Sequence, residues 1–366
     1  MNNYYKYIAE SQNKVKTYVV SFNTNGGNTI ASITVPANQP IPSYMSGKYS
    51  SVVRGLDKFK GWYSDASLTT RFYSSTVVPG DITLYAGYYL AGEIVYTTPG
   101  WHEFTIPAGF SQVSVVAIGG GGSGGVVKVG GWALTGGTGA GLGYKNNITL
   151  DSSKTYWVQV GNGGAATVIG DIPSGSSYID GNDGEASEFY YTINSQTPSI
   201  IVSGYGGLKG KGSPSFNQTG SWPGGGYIGS GGRGGSSGNT TTGVSGPGGA
   251  GGYSGNGGNG SAAGVSGSSA ASSSGGGGGG YGTNVQGTSL AGGTGLYGKG
   301  STGSGGVYSS SYAQAGSGGT STNPNTTPIT NLYGGGSAGP VKGGNGAVRI
   351  VWGVNREFPS TNVGAI

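Results

Sequence analysis

Glycine recurs at every third residue in parts of the segment between Gly119 and Gly346, where most of the 85 glycines lie. The two clearest runs are Gly226, Gly229, Gly232, Gly235, Gly238 and Gly243, Gly246, Gly249, Gly252, Gly255, Gly258. Three residues is the period of a polyproline-II-type helix, in which glycine lets neighbouring backbones approach and bond one another. Collagen needs an unbroken register and abundant proline, whereas this chain shifts register and has 15 prolines. The pattern predicts either a bundle of glycine helices or a disordered region.

Composition excludes several classes of protein. Charged residues make up only 8% of the chain, too few for the usual charge-driven disorder. The net charge of +5 comes from scattered Lys and Arg, which argues against a nucleic-acid partner. The absence of cysteine excludes disulfides, thiolate metal sites and cysteine nucleophiles. The first twenty residues lack the pattern of a signal peptide, and no stretch is apolar enough to predict a membrane span.

Short strands are predicted from residue 17 onward, after a polar, tyrosine-rich arm at 1–16. A β-branched stretch at 17–22 precedes the turn Asn25-Gly26, and an alternating stretch at 29–35 is its predicted partner strand. The motifs VSFNTNGG at 20–27, FKGWYSD at 59–65 and GDITLYA at 80–86 follow in order, with Leu68 and Phe72. This stretch resembles internalin B-repeats (the Listeria-Bacteroides repeat). The resemblance implies a β-grasp-like module over 17–90.

A second set of strand patterns begins near Gly92. The predicted strands span 93–96, 101–106, 112–118, 143–150, 155–160, 185–191, 199–203 and 346–352. Short antiparallel strands with long excursions between them predict a β-sandwich, closed by a last strand that returns after about 140 glycine-rich residues.

The ends of this second module carry its resemblance to a family. The motifs are TIPAG at 105–109, VSVVAIGGGG at 113–122, TYWVQVG at 155–161, IVSG at 201–204 and GGNGAVRIVW at 343–352. They resemble the glycine-rich domain of phage tail fibre and adhesin proteins and, more distantly, the ectodomain of the anaplastic lymphoma kinase receptor. The closing REFPSTN at 356–362 is similar to tails of phage structural proteins. The resemblance implies a jelly-roll-like sandwich that carries an insertion of packed polyglycine-II helices.

We therefore predict an all-β protein without confident helices. Its parts are an N-terminal arm at 1–16, a β-grasp-like module at 17–90, a β-sandwich at 91–203 closed by the strand at 346–353, a polyglycine-II insertion at 204–345 and a C-terminal tail at 354–366.

Specificity in such a protein is predicted to lie in loops at the tips of the bundle, where the sequence stops being glycine. These interruptions span 213–223, 239–242, 283–286, 307–312 and 320–328. They combine aromatic rings with Ser, Thr and Asn, a mixture suited to adaptable recognition, although each loop could also serve only as a soluble connection. The candidate receptor-binding residues are Phe216, Trp222, Tyr227, Tyr281, Tyr308, Tyr312, Asn323 and Asn325.

Catalytic and metal sites are not predicted, and no cofactor is implied. His102 is the only histidine, so one chain cannot assemble a catalytic triad or a histidine cluster, although a trimer axis could bring three copies together. A group of acidic residues between 171 and 188 is a candidate for a glycosidase carboxylate pair or a calcium loop, but solvated turns explain it better. Its members are Asp171, Asp180, Asp183, Glu185 and Glu188.

The sequence favours a non-enzymatic virion protein: a phage tail fibre or tail-tip adhesin, assembled in the host cytoplasm, that binds a bacterial surface glycan or protein. Its other predicted partners are tail or fibre proteins, through the N-terminal region, and two further copies if the fibre is a homotrimer. Three alternatives remain: a bacterial surface adhesin or matrix protein, a purely structural tail or baseplate component, and a glycoside hydrolase.

Overall fold

The structure, a computed structural model, describes residues 15–50, 52–128, 132–193, 197–212, 224–238, 243–262, 265–272, 274–281, 289–297, 299, 302–309, 312–313, 333–338 and 341–359. The chain divides into two compact units. Unit 1 comprises residues 1–91, 108–110 and 353–355, and unit 2 comprises 92–107, 111–352 and 356–366. Strands dominate both units, so the predicted all-β class is confirmed.

Unit 1 contains one mixed sheet. Its strands are β1 (Thr17–Asn23), β2 (Ile33–Pro36), β3 (Lys58–Tyr63), β4 (Arg71–Phe72) and β5 (Ile82–Tyr89), in the spatial order β2-β1-β5-β3-β4. β1 and β5 are parallel, whereas the other pairs are antiparallel. A 3₁₀ turn (Ser43–Met45) runs into the short helix α1 (Ser46–Tyr49). The core contains Val20, Val35, Trp62 and Leu84, and the indole of Trp62 donates a hydrogen bond to the Tyr49 carbonyl at 2.9 Å.

The strand predicted at 29–35 is shorter in the structure. Asn25 and Gly26 adopt positive φ values of 45° and 89°, as a hairpin turn requires. Asn28 then bonds Val53 instead of β1: its amide donates to the Val53 carbonyl at 3.0 Å, and its side-chain oxygen accepts from the Val53 amide at 2.6 Å. Pairing with β1 therefore begins only at Ile33.

Asp65 closes the loop between β3 and β4. Its carboxylate accepts hydrogen bonds from the amides of Thr69 (3.0 Å) and Thr70 (2.6 Å) and from the hydroxyl of Ser67 (2.5 Å). These bonds, led by that from Ser67, hold the pKa of Asp65 well below its usual range. The charged form is therefore favoured in the folded loop.

We expect Asp65 to make the loop sensitive to acid. A carboxyl whose pKa is depressed by folding stabilises the protein above its unfolded pKa, about 3.9, and this contribution is lost as the pH falls further. Asp65→Asn should lower the melting temperature at neutral pH, and the difference from the wild type should shrink below about pH 4. Calorimetry of the full chain over this pH range measures the difference. Melting curves that stay equally separated at every pH would contradict the assignment.

Unit 2 is built on two five-stranded antiparallel sheets. Its strands are β6 (Gly92–Tyr96), β7 (Gly100–Phe104), β8 (Gln112–Ile118), β9 (Val126–Lys128), β10 (Trp132–Leu134), β11 (Leu142–Thr149), β12 (Thr155–Val160), β13 (Tyr178–Ile179), β14 (Ser187–Thr192), β15 (Ser199–Gly204), β16 (Tyr227–Ile228), β17 (Ser230–Gly232), β18 (Ser289–Leu290), β19 (Tyr308–Ser309), β20 (Tyr312–Ala313), β21 (Ser337–Ala338) and β22 (Ala347–Trp352). Sheet I has the order β17-β11-β8-β22-β6, and sheet II has the order β16-β15-β14-β12-β7. A 3₁₀ turn spans Ile169–Asp171.

The inner faces of the two sheets form one hydrophobic core. Sheet I supplies Val115 and Ile350, and sheet II supplies Val158, Phe189 and Val202, all of them fully buried. Residues alternate between the faces of a strand, so each sheet also has an outer face. The outer face of sheet I is covered by a second cluster, in which Tyr253, Leu296 and Phe358 pack on Val116, Ile118, Leu142 and Val351.

A charged cluster lies within this covered face. Arg349 on β22 is fully buried, and its guanidinium bonds the Glu93 carboxylate on β6. Arg356 approaches the same carboxylate oxygen at 2.9 Å and donates to the Gly92 carbonyl at 2.7 Å. Arg349 also donates to the Leu296 carbonyl at 3.2 Å and lies 4.3 Å from the centre of the Tyr297 ring. The cluster thus ties the glycine-rich region and the C-terminal segment to sheet I.

The glycine-rich segments hydrogen-bond one another with a three-residue repeat. Along 119–123, the amides of Gly119 and Gly122 donate to segment 135–141, those of Gly120 and Ser123 donate to segment 181–186, and that of Gly121 donates to Gly344. Successive amides of segment 135–141 likewise donate to different neighbouring segments, and two of these neighbours accept again three residues later. The donors therefore point in three directions in turn, as the three-residue period of polyproline-II-type helices requires. The interpretation of these segments as polyglycine-II helices rests on this repeat.

This packing leaves no space for side chains at many glycines. A β-carbon added to Gly139 would lie 1.9 Å from the Gly249 carbonyl oxygen, and one added to Gly184 would lie 1.9 Å from that of Gly120. The packed region also extends beyond the predicted insertion at 204–345, because segments 119–125, 135–141, 161–165 and 181–186 bond to it. Glycine is needed here for close backbone approach, and the amides are satisfied by neighbouring carbonyls.

Candidate functional site at the outer end of the glycine-rich region

The glycine-rich segments run away from the sandwich and back again. Segment 119–125 leaves β8, the hairpin β9–β10 turns the chain, and segment 135–141 returns into β11. Segments 161–165 and 181–186 form a second such pair around the turn that contains β13. The turns far from the sheets therefore share one end of the bundle, which we call the outer end.

A small apolar cluster closes the outer end. It consists of the buried residues Val126, Leu134, Val244 and Ala338, with the partly buried Ile172 and Ile179 packed against them. The main chain around it is tied by β9, which pairs with both β10 and β13, and by a bridge between Leu134 and Val244. The glycine-rich segments that hydrogen-bond one another form what we call the glycine lattice. Side-chain packing thus begins where this lattice ends. This outer apolar cluster fixes the bases of the surrounding turns.

Several predicted binding loops start or finish beside this cluster. Gly212, which precedes 213–223, packs against the main chain of Ile179. The carbonyl of Gly243, which follows 239–242, accepts from the Leu134 amide at 3.0 Å. Ser289, which follows 282–288, pairs with Ala338. The predicted loops 213–223, 239–242, 283–286 and 320–328 lie outside the described part of the chain.

The hairpin β19–β20 occupies the predicted loop 307–312. Gly306, just before it, donates to the Gly279 carbonyl at 2.8 Å, next to Gly280, which donates to Pro247. Segment 243–252 runs in the same direction as 135–141, since Ser245 bonds Leu134 and Gly251 bonds Ala140. Pro247 is therefore near the outer end of its segment, and the hairpin leaves the lattice on that side.

An ion cluster anchors the segment that leads to 213–223. The Asp180 carboxylate lies 3.0 Å from the Lys211 ammonium and 3.4 Å from that of Lys209, and it accepts from the Gly212 amide at 2.9 Å. Asp183 accepts from the Lys209 amide at 2.7 Å. These contacts hold the chain in place up to the base of the loop.

The predicted receptor-binding residues do not all lie at the outer end. Tyr227 is 36% exposed but lies in β16, on the sheets, and therefore away from the outer end. Tyr281 is only 7% exposed, at the end of a run of six glycines inside the lattice, and its part in receptor binding stays a prediction. Tyr308 and Tyr312 belong to the hairpin β19–β20 near the outer end. Phe216, Trp222, Asn323 and Asn325 lie outside the described residues.

Exposed apolar side chains at the outer end were missed from the sequence. Val168 and Tyr178 flank the turn before segment 181–186, and Tyr178 is 38% exposed. Val265 and Val307 are also exposed, in turns on the same side. The turn-forming stretch IPSGSS at 172–177 interrupts the glycine runs and is the sequence signal that could have indicated Val168 and Tyr178.

The acidic residues do not converge on one site. Asp180 and Asp183 bond the segment before 213–223, Asp171 accepts from the Val168 amide, and Glu185 accepts from Asn162. Glu188 lies on sheet II. Among the described residues, no group of three His, Asp or Glu side chains is close enough to hold a metal ion. His102 bonds the Thr98 carbonyl at 2.8 Å and lies beside the ring of Tyr96.

Comparison with known proteins identifies one part of the chain. Residues 18–87 match the Listeria-Bacteroides repeat domain, so unit 1 contains such a domain. The match covers less than a quarter of the 366 residues and does not assign the rest. A search of curated proteins finds no match to the chain. None of the helices in the described residues has the length and apolar character needed to cross a membrane.

Proposed function

We propose that this protein is a phage tail fibre or tail-tip adhesin that binds a bacterial surface receptor, a glycan or a surface protein, without catalysing a reaction. The observation that carries the proposal is that the described bases of several non-glycine interruptions, at Gly212, Gly243, Ser289 and the hairpin β19–β20, lie at the outer end. A lattice of bonded backbones that bury their own amides offers few side chains for recognition along its length. Binding energy would come from the varied, aromatic and polar turns at its end.

The loops suit this role because their bases are fixed. The outer apolar cluster and the Asp180 ion cluster hold the main chain where 213–223 begins. Loops held on a rigid scaffold lose less conformational entropy on binding than free segments do. Ordering each glycine costs about 1–2 kcal/mol of backbone entropy, so a large ordered insertion needs a role. Holding the binding loops in place is such a role.

A second candidate is a bacterial surface adhesin or matrix protein, and the Listeria-Bacteroides repeat domain at 18–87 favours it. Both candidates use the same outer turns but differ in where the protein resides. Mass spectrometry of purified phage particles and of cell-envelope fractions separates them. Recovery with virions supports the tail protein, whereas recovery with the envelope supports the surface adhesin.

The binding test uses the full chain on intact bacterial cells. Replacing 213–223 and 307–312 with Gly-Ser repeats of equal length should reduce cell binding at least tenfold, because it removes the aromatic and amide groups at the outer end. The matched control replaces 194–197, which follow β14 and precede β15 in the chain. Equal binding by both variants would place the receptor site elsewhere, and no binding by the wild type to any strain would favour a structural tail component.

A further inference from the structure

The outer face of sheet II carries aromatic and acidic side chains in register. Directly paired residues on antiparallel strands share a face. One row runs Glu103, Trp157, Tyr190 and Ile200 across β7, β12, β14 and β15. The next row runs Trp101, Gln159, Glu188 and Ser203 across the same strands. Both rows point away from the core between the sheets, which contains Phe104, Val158, Phe189 and Val202.

This face differs from the corresponding face of sheet I. Side chains of Tyr253, Leu296 and Phe358 cover the outer face of sheet I. On sheet II, Trp101 remains 63% exposed and Ile200 39% exposed. An exposed indole surrounded by polar groups is typical of a ligand-binding surface.

Trp101 is held in position on its edge strand. Its ring meets that of Tyr190 edge to face, with 5.8 Å between centroids and 89° between planes. Tyr190 is itself buried, at 3% exposure, and the half-buried Trp157 is its partner in the row. The indole is therefore supported from below. A supported aromatic ring loses little entropy on binding and offers a flat apolar surface.

Hydrogen-bonding groups lie beside this ring. Gln159 is directly opposite Trp101, and Glu188 is opposite Gln159, so Trp101 and Glu188 are two strands apart, about 10 Å. Glu188 accepts from the Ser203 hydroxyl at 3.3 Å, and burial raises its pKa. Only one of its oxygens is used in that bond. A half-buried carboxylate of this kind is a strong acceptor for ligand hydroxyl groups.

The charge of the face selects among ligands. The two rows contain Glu103 and Glu188, and none of their residues is Lys or Arg. An acidic ligand would meet two carboxylates without a compensating cation. A neutral or amino-substituted sugar offers the C–H face of its ring to the indole and its hydroxyls to the carboxylates and the amide.

We propose that this face of sheet II is a saccharide-binding site, in which Trp101 stacks on a sugar ring while Gln159 and Glu188 bond hydroxyl groups of a neutral or amino oligosaccharide. The site is separate from the outer end of the glycine-rich region and does not depend on the loops there. A protein with both sites would contact a cell surface through two regions of unit 2.

The test is an immobilised array of neutral, amino and acidic oligosaccharides, probed with the full-length protein. The wild type should bind neutral or amino sugars and not acidic ones. Trp101→Ala should weaken that binding at least tenfold, Trp101→Phe should retain part of it, and Glu188→Gln should weaken it less than Trp101→Ala. The matched control is Tyr73→Ala, which removes another exposed aromatic ring, in unit 1.

Circular dichroism establishes that each variant is folded, and the variant with Gly-Ser repeats in place of 213–223 and 307–312 separates the two sites. Saccharide binding that survives this loop replacement but not Trp101→Ala supports the proposal. The proposal is overturned if the wild type binds no sugar of the array or binds only acidic sugars, or if Trp101→Ala and Tyr73→Ala bind equally. Loss of saccharide binding in the loop variant alone would place the sugar site at the outer end.

Discussion

Glu93→Gln should destabilise unit 2 by about 3–5 kcal/mol, because it leaves two buried guanidinium groups without their shared carboxylate. Arg349 and Arg356 are 0% and 2% exposed, so water cannot replace the lost charge without opening the covered face of sheet I. Arg349 also bonds the Leu296 carbonyl, and its displacement should loosen the contact between the glycine-rich region and the sheet.

Urea unfolding of the full chain measures this effect. The matched control is Glu103→Gln, which makes the same chemical change at an exposed position on β7 and should alter stability by less than about 0.5 kcal/mol. Equal unfolding midpoints for the two variants would show that the Glu93 cluster does not hold the fold together.

Gly139→Ala should cost about 3 kcal/mol or more, at the upper end of the range for overpacked sites. The new methyl group would lie 1.9 Å from the Gly249 carbonyl oxygen, in a segment whose neighbours are fixed by hydrogen bonds on several sides. Main chain, unlike a side chain, cannot rotate away. The segments 135–141 and 243–252 must therefore separate, with loss of bonds such as that from Gly248 to Gly137.

Gly170→Ala is the control for this prediction. Gly170 is exposed, and a β-carbon there would meet no atom within 4 Å. We expect its unfolding midpoint to match that of the wild type, whereas Gly139→Ala should unfold at lower urea concentration. If both variants were as stable as the wild type, residues 135–141 would not be closely packed in solution.

The three-residue repeat of glycine is the sequence feature that says most about the fold. The strands around the glycine-rich region are also predictable from the sequence. The β-branched runs at 112–118, 155–160 and 346–352 correspond closely to β8, β12 and β22. The recruitment of 119–125 and 135–141 into the lattice was not foreseen, because those short runs lie between strands and lack a long glycine step. Backbone hydrogen bonds between distant segments leave little trace in side-chain patterns.

Burial was the hardest property to predict. Arg349 interrupts an apolar strand and would ordinarily face water, yet the insertion covers it. Tyr281 follows six glycines and would be expected at an exposed tip, yet the lattice encloses it. Trp101 and Glu103 share one face of β7 and Phe104 lies on the other, but sequence alone does not reveal which sheet face stays uncovered. In each case the decisive neighbour is far away in the chain.

The most direct test of the scaffold and its outer loops is hydrogen exchange of the full chain, free and bound to envelope vesicles of a strain that it binds. The glycine segments 119–125, 135–141 and 243–261 should be protected already in the free protein, because their amides bond neighbouring carbonyls. Vesicles should add protection at 213–223 and 307–313. Rapid exchange along the glycine segments in the free protein, or added protection confined to residues 17–90, would contradict an ordered lattice that presents receptor-binding loops.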